Sequence, residues 1–187
     1  MKYILASKSP RRKELLGETI SDFEIITAEV DETLPDEIHP REGVEILAIR
    51  KGEAVAKQLS ADCIVISSDT LVEIDGTPLG KPCDEDDAKR MLSSLSGRAH
   101  NVHTGVAVHY KGKCYSGVST TAVFFKQMSA TDIDCYVASR DPMDKAGAYG
   151  IQSGGGRFVD HIEGDYDTVV GLSVSLTKKL IDEAKND

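Results

Sequence analysis

Three consecutive cations follow a helix start signal near the beginning of the chain. Ser9 and Pro10 are typical of a helix N-cap and first helical position, and Arg11, Arg12 and Lys13 come next. Because a helix N-terminus is already partly positive, each cation there costs about 0.3–1 kcal/mol if nothing compensates. A bound phosphate would compensate, since backbone N–H groups and arginine side chains donate to its oxygens. The alternatives are side chains that extend into water and, more weakly, a nucleic-acid patch.

Another cation, Lys51, lies within an apolar stripe of a predicted helix, far from the first three in sequence. The same predicted face carries apolar residues at helical spacing, namely Val44, Leu47, Ala48, Val55 and Leu59. A lysine on a core-facing side is rarely buried without a partner. Two interpretations stay open, a salt bridge or anion contact inside the fold and a side chain that snorkels to the surface.

An acid, Asp69, ends the most apolar predicted strand, CIVISS at 63–68. Ligands of α/β sheets gather at strand carboxyl ends, where a carboxylate could hold Mg²⁺ or orient an attacking water. A carboxylate that caps the following turn is the alternative. The nearby stretch GTPLGKP is not a P-loop, because three residues separate its glycines and Pro82 follows Lys81. Lys81 remains a cation close to Asp69 in sequence.

Bulk properties limit the functions that these residues could serve. The chain has 187 residues and a formal net charge of −9, which argues against general binding to nucleic acid or anionic membranes. Apolar residues make up 40 % and charged residues 28 %, as in globular proteins. No apolar run reaches membrane-spanning length. Four scattered cysteines without a CxxC pair predict reduced thiols in a cytoplasmic protein.

Strand and helix patterns alternate along the whole chain, which predicts the elements that must position these residues. We expect strands at 3–6, 23–27, 63–68, 101–110 and 114–125, and helices at 10–16, 40–59, 84–95, 131–139 and 172–184. Hairpins are predicted around Asp75-Gly76 and at 111–113. The expected fold class is α/β, a single domain over residues 1–187 with a mixed, twisted β-sheet flanked by helices.

Seven segments, in order, resemble the Maf family of nucleoside triphosphate pyrophosphatases. They are SKSPRRKELL, the Asp31-Glu32 loop, AIRKGEAVA, SSDT with LGKP, SGRAHNVHTGV, DKAGAYGIQ and GDYDTVVGL, which run from Ala6 to about Leu172. The resemblance implies a fold related to the inosine triphosphatases and hydrolysis of a nucleoside triphosphate to its monophosphate and pyrophosphate. It also implies a divalent cation, Mg²⁺ or Mn²⁺, and a homodimer.

With the residues above, the resemblance predicts a set of site residues. Asp69 is expected to activate a water and, with Glu32, to hold the metal. The expected substrate-binding residues are Ser7, Arg11, Arg12, Lys51, Thr70, Lys81 and Gln152. Arg12, Thr70 and Gln152 match the specificity positions of family members that act on dTTP and UTP. The amide of Gln152 complements the O4 acceptor and N3–H donor of uracil or thymine, whereas cytosine reverses that pattern.

Three positions depart from the family pattern. Asp141 stands where Glu is more common, Ser153 where Gly is usual and Ser173 where Pro is usual. Ser153 could alter the loop beside the base and thereby the fine substrate preference.

Several further polar residues have two interpretations. Lys145 is a candidate phosphate ligand or the partner of Asp144 or another acid, and Tyr149 either stacks on a base or packs. His100 and His103 are expected to be hydrogen-bonded structural residues.

A function of another class also fits the sequence. A non-catalytic, nucleotide-binding regulator of cell division or septum formation would need the triphosphate pocket but not Asp69 and its metal. For the enzyme, the expected partners are a nucleoside triphosphate and a second copy of the chain, with no nucleic acid and no membrane.

Overall fold

Strands and helices alternate along the chain, which a computed structural model describes for residues 1–35 and 37–187. The strands are β1 (Lys2–Leu5), β2 (Glu24–Ile25), β3 (Cys63–Ile74), β4 (Thr77–Leu79), β5 (Ala99–Tyr110), β6 (Lys113–Phe125) and β7 (Val159–Glu163). The helices are α1 (Pro10–Gly17), α2 (Pro40–Ala56), α3 (Glu85–Leu95), α4 (Ala130–Ala138), α5 (Tyr166–Val170) and α6 (Val174–Asn186). Short 3₁₀ helices span Asp141–Asp144, Ala146–Ala148 and Gly154–Phe158.

The seven strands form one mixed sheet in the order β2-β1-β3-β5-β6-β7, and β4 pairs with β3. β1 runs parallel to β2 and β3. The other pairs are antiparallel. This arrangement confirms the predicted fold class, a mixed sheet flanked by helices.

The long central strand β3 corrects one prediction. It continues past Ser68 to Ile74, so Asp69 lies in the middle of the strand and not at its end. The strand continues because β5 pairs with it from Val65 to Glu73, well beyond the last parallel pair, Leu5 with Ile66. Asp69 therefore lies at the carboxyl end of β1, on a stretch of β3 between its pairing with β1 and its pairing with β4.

Both predicted hairpins are confirmed. Asp75 and Gly76 connect β3 to β4 with φ angles of 52° and 75°, and Lys111 and Gly112 connect β5 to β6 with 49° and 77°. Two successive positive φ values match the right-handed twist of the flanking strands.

Helices cover both faces of the sheet. On one face Leu16 of α1 and Leu180 of α6 pack with Ile64 and Ile66 of β3. On the other face Val55 of α2 packs with Val65, Ile4 and Ala6. Full burial of such a side chain contributes about 1.5–3 kcal/mol. A further cluster around Leu92 of α3 and Val137 of α4 includes Tyr149 and Phe158, and so anchors the segment after α4.

The last third of the chain departs most from the predicted elements. The sequence did not predict β7, α5 or the three 3₁₀ helices. The final helix begins at Val174 and not at residue 172, because Gly171 adopts a φ of 127° and the Ser173 hydroxyl caps α6 by accepting from the Leu176 N–H.

Two expectations about the chain as a whole bear on its environment. Within residues 1–35 and 37–187, no helix has the length and apolar character needed to cross a membrane. In the same residues Cys63, Cys83, Cys114 and Cys135 are all free thiols.

Candidate active site

All the predicted site residues line one open cavity of about 1360 Å³ beside β3. They come from the turn after β1, α1, the loop after β2, α2, β3, the segment after β4 and the turn at residue 152. The predicted residues on its wall are Ser7, Arg11, Arg12, Glu32, Lys51, Asp69, Thr70, Lys81 and Gln152. The topology therefore joins side chains that lie up to 145 positions apart in sequence, from Ser7 to Gln152.

Arg12 is held in the cavity wall by neutral oxygens. Its Nε donates to the carbonyl of Gly171 at 2.9 Å, Nη1 to Ser7 Oγ at 3.4 Å and Nη2 to Thr70 Oγ1 at 3.4 Å. A guanidinium has five N–H donors, so these contacts leave others for a ligand. Burial lowers the pKa of Arg12, and the carboxylate of Asp69 partly offsets that effect. The charge of Arg12 is thus fixed in position but not neutralised by a direct ion pair.

A chain of hydroxyl groups fixes Thr70 beside Arg12. Thr104 donates its single hydroxyl proton to the Thr168 carbonyl at 2.7 Å, so in the Thr70–Thr104 contact of 2.9 Å the donor is Thr70. The Thr70 oxygen then accepts from Arg12. Two of the predicted specificity residues, Arg12 and Thr70, are therefore in direct contact.

Lys51 lies between two acids. Its Nζ is 2.6 Å from Asp69 Oδ1 and 2.9 Å from Glu32 Oε1. The Lys51 and Asp69 side chains are only 18 % and 13 % exposed. Of the two interpretations of Lys51, the structure favours the ion pair over snorkelling.

The position of Lys51 follows from the close approach of α2 to the sheet. Ser67 Oγ donates to the Ala48 carbonyl at 2.7 Å and so ties β3 to the helix one turn earlier. A Cβ on the next residue, Gly52, would lie 2.5 Å from Ser67 Oγ and from His109 Nδ1. Only glycine fits there, and the contact brings Lys51 within reach of Asp69.

Glu32 lies on an exposed loop that another α2 residue fixes. Arg50 Nη1 donates to the carbonyls of Asp31 at 3.1 Å and Thr33 at 2.8 Å. The Asp31 carboxylate also accepts from the Thr33 N–H at 2.9 Å. These bonds on either side of Glu32 direct its carboxylate to Lys51. The sequence analysis did not identify this role of Arg50, since its contacts are to backbone carbonyls.

The two carboxylates suit a magnesium-type cation. Oxygens of Asp69 and Glu32 converge on one positive atom, Lys51 Nζ. Carboxylate oxygen is the ligand that Mg²⁺ and Mn²⁺ prefer. Among the described residues, no group of three or more His, Cys, Asp or Glu side chains is arranged to hold a metal. Two carboxylates are the number that commonly binds Mg²⁺ together with substrate phosphates.

The opposite wall consists of turns between α4 and β7. Gln152 is exposed there, in a turn that begins at Gly150. Lys145 Nζ pairs with Asp141 Oδ1 at 3.0 Å and Asp144 Oδ1 at 2.8 Å, so the salt-bridge interpretation of Lys145 is favoured. The Gly147 N–H donates to the Gly80 carbonyl at 3.0 Å and ties this wall to the segment that carries Lys81.

Aromatic side chains support this wall from behind. Tyr149 is buried, its ring packs edge-on against Phe125 at 4.8 Å, and its hydroxyl is 2.8 Å from His100 Nε2. Packing is therefore favoured over base stacking for Tyr149. Burial lowers the pKa of His100 to about 4. His103 is also buried and contacts Glu73 and Thr120, so both histidines are hydrogen-bonded as predicted.

Two departures from the family pattern lie in contact with each other. Ser153 Oγ donates to Asp141 Oδ2 at 2.7 Å. The sequence analysis named both residues but had no signal that they meet, because twelve positions of irregular chain separate them. The third departure, Ser173, caps α6.

Comparison with known proteins identifies the relatives of this chain. The profile described as "Maf: Maf-like protein" matches residues 2–184. Proteins named dTTP/UTP pyrophosphatase from Bacillus cereus (strain AH187) and Bacillus anthracis (strain CDC 684 / NRRL 3495) are each 48 % identical over 184 residues, which cover 98 % of this chain and 94 % of the relative. The structure of a HAM1 protein from Coxiella burnetii is similar in fold, with a TM-score of 0.52 and 16 % identity over 98 % of this chain and all of that one.

Proposed function

The chain belongs to the Maf family, and from this premise we propose that it is a nucleoside triphosphate pyrophosphatase that acts on dTTP and UTP. The observation that carries the proposal is the convergence of Arg12, Lys51 and Lys81 with Asp69 and Glu32 on a single cavity. Relatives named for this activity at 48 % identity support the same substrates.

The proposed reaction is hydrolysis between the α and β phosphates. The Asp69 carboxylate accepts a proton from a water, whose oxygen forms a bond to the α phosphorus. The bond from the α phosphorus to the bridging oxygen breaks, and pyrophosphate leaves with that oxygen. Lys51, Lys81 and Arg11 stabilise the charge that grows on the leaving group.

A divalent cation is part of the proposal. Mg²⁺ or Mn²⁺, when held by Glu32 and Asp69, lowers the repulsion between an attacking hydroxide and the phosphate oxygens. The convergence of both carboxylates on one point, now taken by Lys51 Nζ, supports this site. Arg50 contributes by fixing the loop that carries Glu32.

Recognition of the substrate divides between the two walls. Arg12, held by Ser7, Thr70 and the Gly171 carbonyl, keeps donors available for phosphate or sugar oxygens. Gln152 on the opposite wall offers one donor and one acceptor to the O4 and N3–H groups of uracil or thymine. Cytosine presents the reverse pattern, so we expect CTP to be a poor substrate.

We also propose a single domain over residues 1–187, a homodimer and a cytoplasmic location. The profile match from 2 to 184 supports the single domain. Free thiols at all four cysteines, within the residues that the structure describes, support a reducing compartment. The homodimer rests on the family resemblance, and light scattering of the purified protein tests it.

The decisive experiment incubates the purified protein with dTTP, UTP, CTP and 7-methyl-GTP, each with Mg²⁺ and with EDTA. We expect monophosphate and pyrophosphate from dTTP and UTP, with little product from CTP and none in EDTA. Triphosphates recovered unchanged would favour the non-catalytic regulator. Faster release of pyrophosphate from 7-methyl-GTP than from UTP would overturn the pyrimidine assignment.

A further inference from the structure

The carboxylate of Asp141 joins three segments of the turn-built wall. It accepts from Tyr136 Oη at 2.6 Å and from Ser153 Oγ at 2.7 Å, both on Oδ2. On Oδ1 it accepts from Lys145 Nζ at 3.0 Å. Tyr136 belongs to α4, Lys145 follows the 3₁₀ helix at Asp141–Asp144, and Ser153 closes the turn before Gly154. One side chain thus links α4, the residue after the first 3₁₀ helix and the turn that carries Gln152.

Both ends of the turn that carries Gln152 are attached to this carboxylate. At its end, Ser153 donates its single hydroxyl proton to Asp141. At its start, the Gly150 N–H donates to Tyr136 Oη at 3.2 Å, and that hydroxyl in turn donates to Asp141. Gln152 lies between these two attachments and has an exposed side chain.

The packing beneath the turn leaves no room for a side chain at three of its glycines. A Cβ on Gly154 would lie 2.9 Å from the Tyr136 ring, and one on Gly155 would lie 2.8 Å from Tyr136 Oη. A Cβ on Gly150 would lie 2.6 Å from Lys145 Cε. The glycines therefore let the backbone pack closely against Tyr136 and Lys145, and both of these residues also contact Asp141.

The charge state of Asp141 suits an acceptor role. Burial acts to raise the pKa of Asp141, but the hydrogen bonds from Tyr136, Ser153 and Lys145 hold it below its usual value. Asp141 is therefore ionised at neutral pH and can accept from all three donors at once.

We propose that Asp141 is a positioning residue for nucleobase selection, whose carboxylate fixes the Gly150–Ser153 turn so that the Gln152 amide meets the edge of uracil or thymine. The inference rests on the proposed function, since it concerns the same cavity. Asp141 itself touches no reacting atom; it acts through Gln152. A fixed backbone is needed because an exposed glutamine on a mobile turn would lose side-chain and backbone freedom at each binding event.

The test measures kcat and KM for UTP and for CTP in four proteins, the wild type, Asp141→Asn, Tyr136→Phe and Ser153→Ala. We expect the UTP:CTP ratio of kcat/KM to fall about tenfold in Asp141→Asn and about threefold in each single-donor variant. The single-donor effect is below the full loss of a hydrogen bond to a charged acceptor, because the other attachments of the turn remain. The change should appear in KM for UTP and leave kcat for UTP within about twofold, because the reacting phosphates lie on the other wall.

A double-mutant cycle shows whether the effect passes through Gln152. In a Gln152→Ala background, Ser153→Ala should leave the UTP:CTP ratio unchanged, since the amide that it positions is gone. Tyr115→Phe is the matched control for Tyr136→Phe, because Tyr115 Oη also donates to a carboxylate, Asp187 at 2.7 Å, away from the cavity. It should leave the ratio at the wild-type value.

Distinct results overturn the inference and the proposed function. If the wild type releases pyrophosphate from UTP but Ser153→Ala and Asp141→Asn keep its UTP:CTP ratio, the positioning role is wrong and the proposed function stands. The same conclusion follows if the variants only lower thermal stability, or if Ser153→Ala has its full effect without Gln152. A wild type that leaves UTP intact contradicts the proposed function itself. Ser153 is exposed, so Ser153→Ala gives a result even if Asp141→Asn does not fold.

Discussion

The two walls of the cavity are built from different kinds of structure. The sheet wall, made of Ser7, Arg12, Lys51, Asp69 and Thr70, draws its side chains from α1, α2, β3 and the turn after β1. The turn wall, residues 141–153, consists of short 3₁₀ helices and turns that glycines and buried aromatic rings hold in place. One wall presents charges on regular elements. The other presents the exposed Gln152 amide beside charges on turns, Asp141, Asp144 and Lys145, that pair with one another.

Under the proposed function, the base Asp69 and the cation Lys51 lie on the sheet wall and the Gln152 amide lies on the turn wall. Arg12 and Thr70, the other two predicted specificity residues, also lie on the sheet wall. Charged groups that must act on phosphate need fixed mutual distances, which a helix packed on a sheet provides. The shape of a base edge is matched by a turn, whose position can change with few substitutions. We therefore expect changes in the sheet wall to alter turnover, and changes in or behind the turn wall to alter selectivity or stability.

The largest effect should come from the sheet wall. Replacement of Asp69 by Asn removes the proposed base while it keeps the size of the side chain, and should lower kcat for UTP about a hundredfold or more. UTP binding, measured by calorimetry, should change much less, because the cations of the cavity remain.

Asp75→Asn is the matched control for this prediction. Asp75 follows the same strand, pairs with Arg98 at 2.7 Å and lies outside the cavity. Its replacement should leave kcat unchanged, and asparagine tolerates the positive φ of that turn position. Near wild-type turnover in Asp69→Asn would mean that the sheet wall does not supply the base.

The sheet wall is also the part of the site that the sequence predicts well. Ser9-Pro10 and the cations after it, Lys51 in its apolar stripe and the apolar run before Asp69 are local patterns on regular elements. The predicted end of β3 was wrong, since the strand that extends it, β5, pairs with it through residues that are 28 or more positions away in sequence, such as Glu73 with Asn101. Hydrogen bonding between distant strands leaves no local pattern to read.

The turn wall was predicted mainly through the family resemblance. Gln152 carries no physical signal in the sequence, and the contact between Asp141 and Ser153 depends on 3₁₀ turns without periodicity. The unpredicted β7 is short and lies at the sheet edge, where partial exposure of both faces hides the alternation of a half-buried strand.

Behind the turn wall, His100 should make the stability of the protein depend on pH. Its pKa of about 4 in the fold lies below the ordinary value of 6.5. Between these values the unfolded chain binds the extra proton, so the free energy of unfolding falls as the pH is lowered. The loss that His100 causes between pH 7 and pH 5 should be about 2 kcal/mol.

Replacement of His100 by Gln removes this titration and keeps a polar partner for Tyr149. Urea unfolding at pH 8, 7, 6 and 5 measures the free energy of unfolding of both proteins. At pH 8 His100 is neutral in the folded and the unfolded chain, so the difference between the proteins is the effect of the substitution alone. Below pH 7 the variant should lose less stability than the wild type. If the free energy of unfolding changes equally with pH in the two proteins, burial among the aromatic rings behind the turn wall does not keep His100 neutral.

The smallest expected effect concerns the two cations of the sheet wall, Arg12 and Lys51, which differ in whether they form ion pairs. Arg12 contacts only neutral oxygens, whereas Lys51 is paired with both proposed metal ligands. A divalent cation must compete with the Lys51 ammonium for Asp69 and Glu32. In Lys51→Met we therefore expect Mn²⁺ to bind about fivefold more tightly in the absence of nucleotide, the scale of a partly exposed ion pair.

Electron paramagnetic resonance of free Mn²⁺ measures this affinity without turnover. Lys57→Met is the control, since Lys57 is the residue directly after α2 and pairs with Glu53 at 2.8 Å outside the cavity. Mn²⁺ affinity should be unchanged there, while kcat/KM for UTP should fall in Lys51→Met because the cavity loses a positive charge. Weaker Mn²⁺ binding in Lys51→Met would instead mean that Lys51 holds the two carboxylates in place for the metal. That result would contradict the view that Lys51 competes with the metal for Asp69 and Glu32.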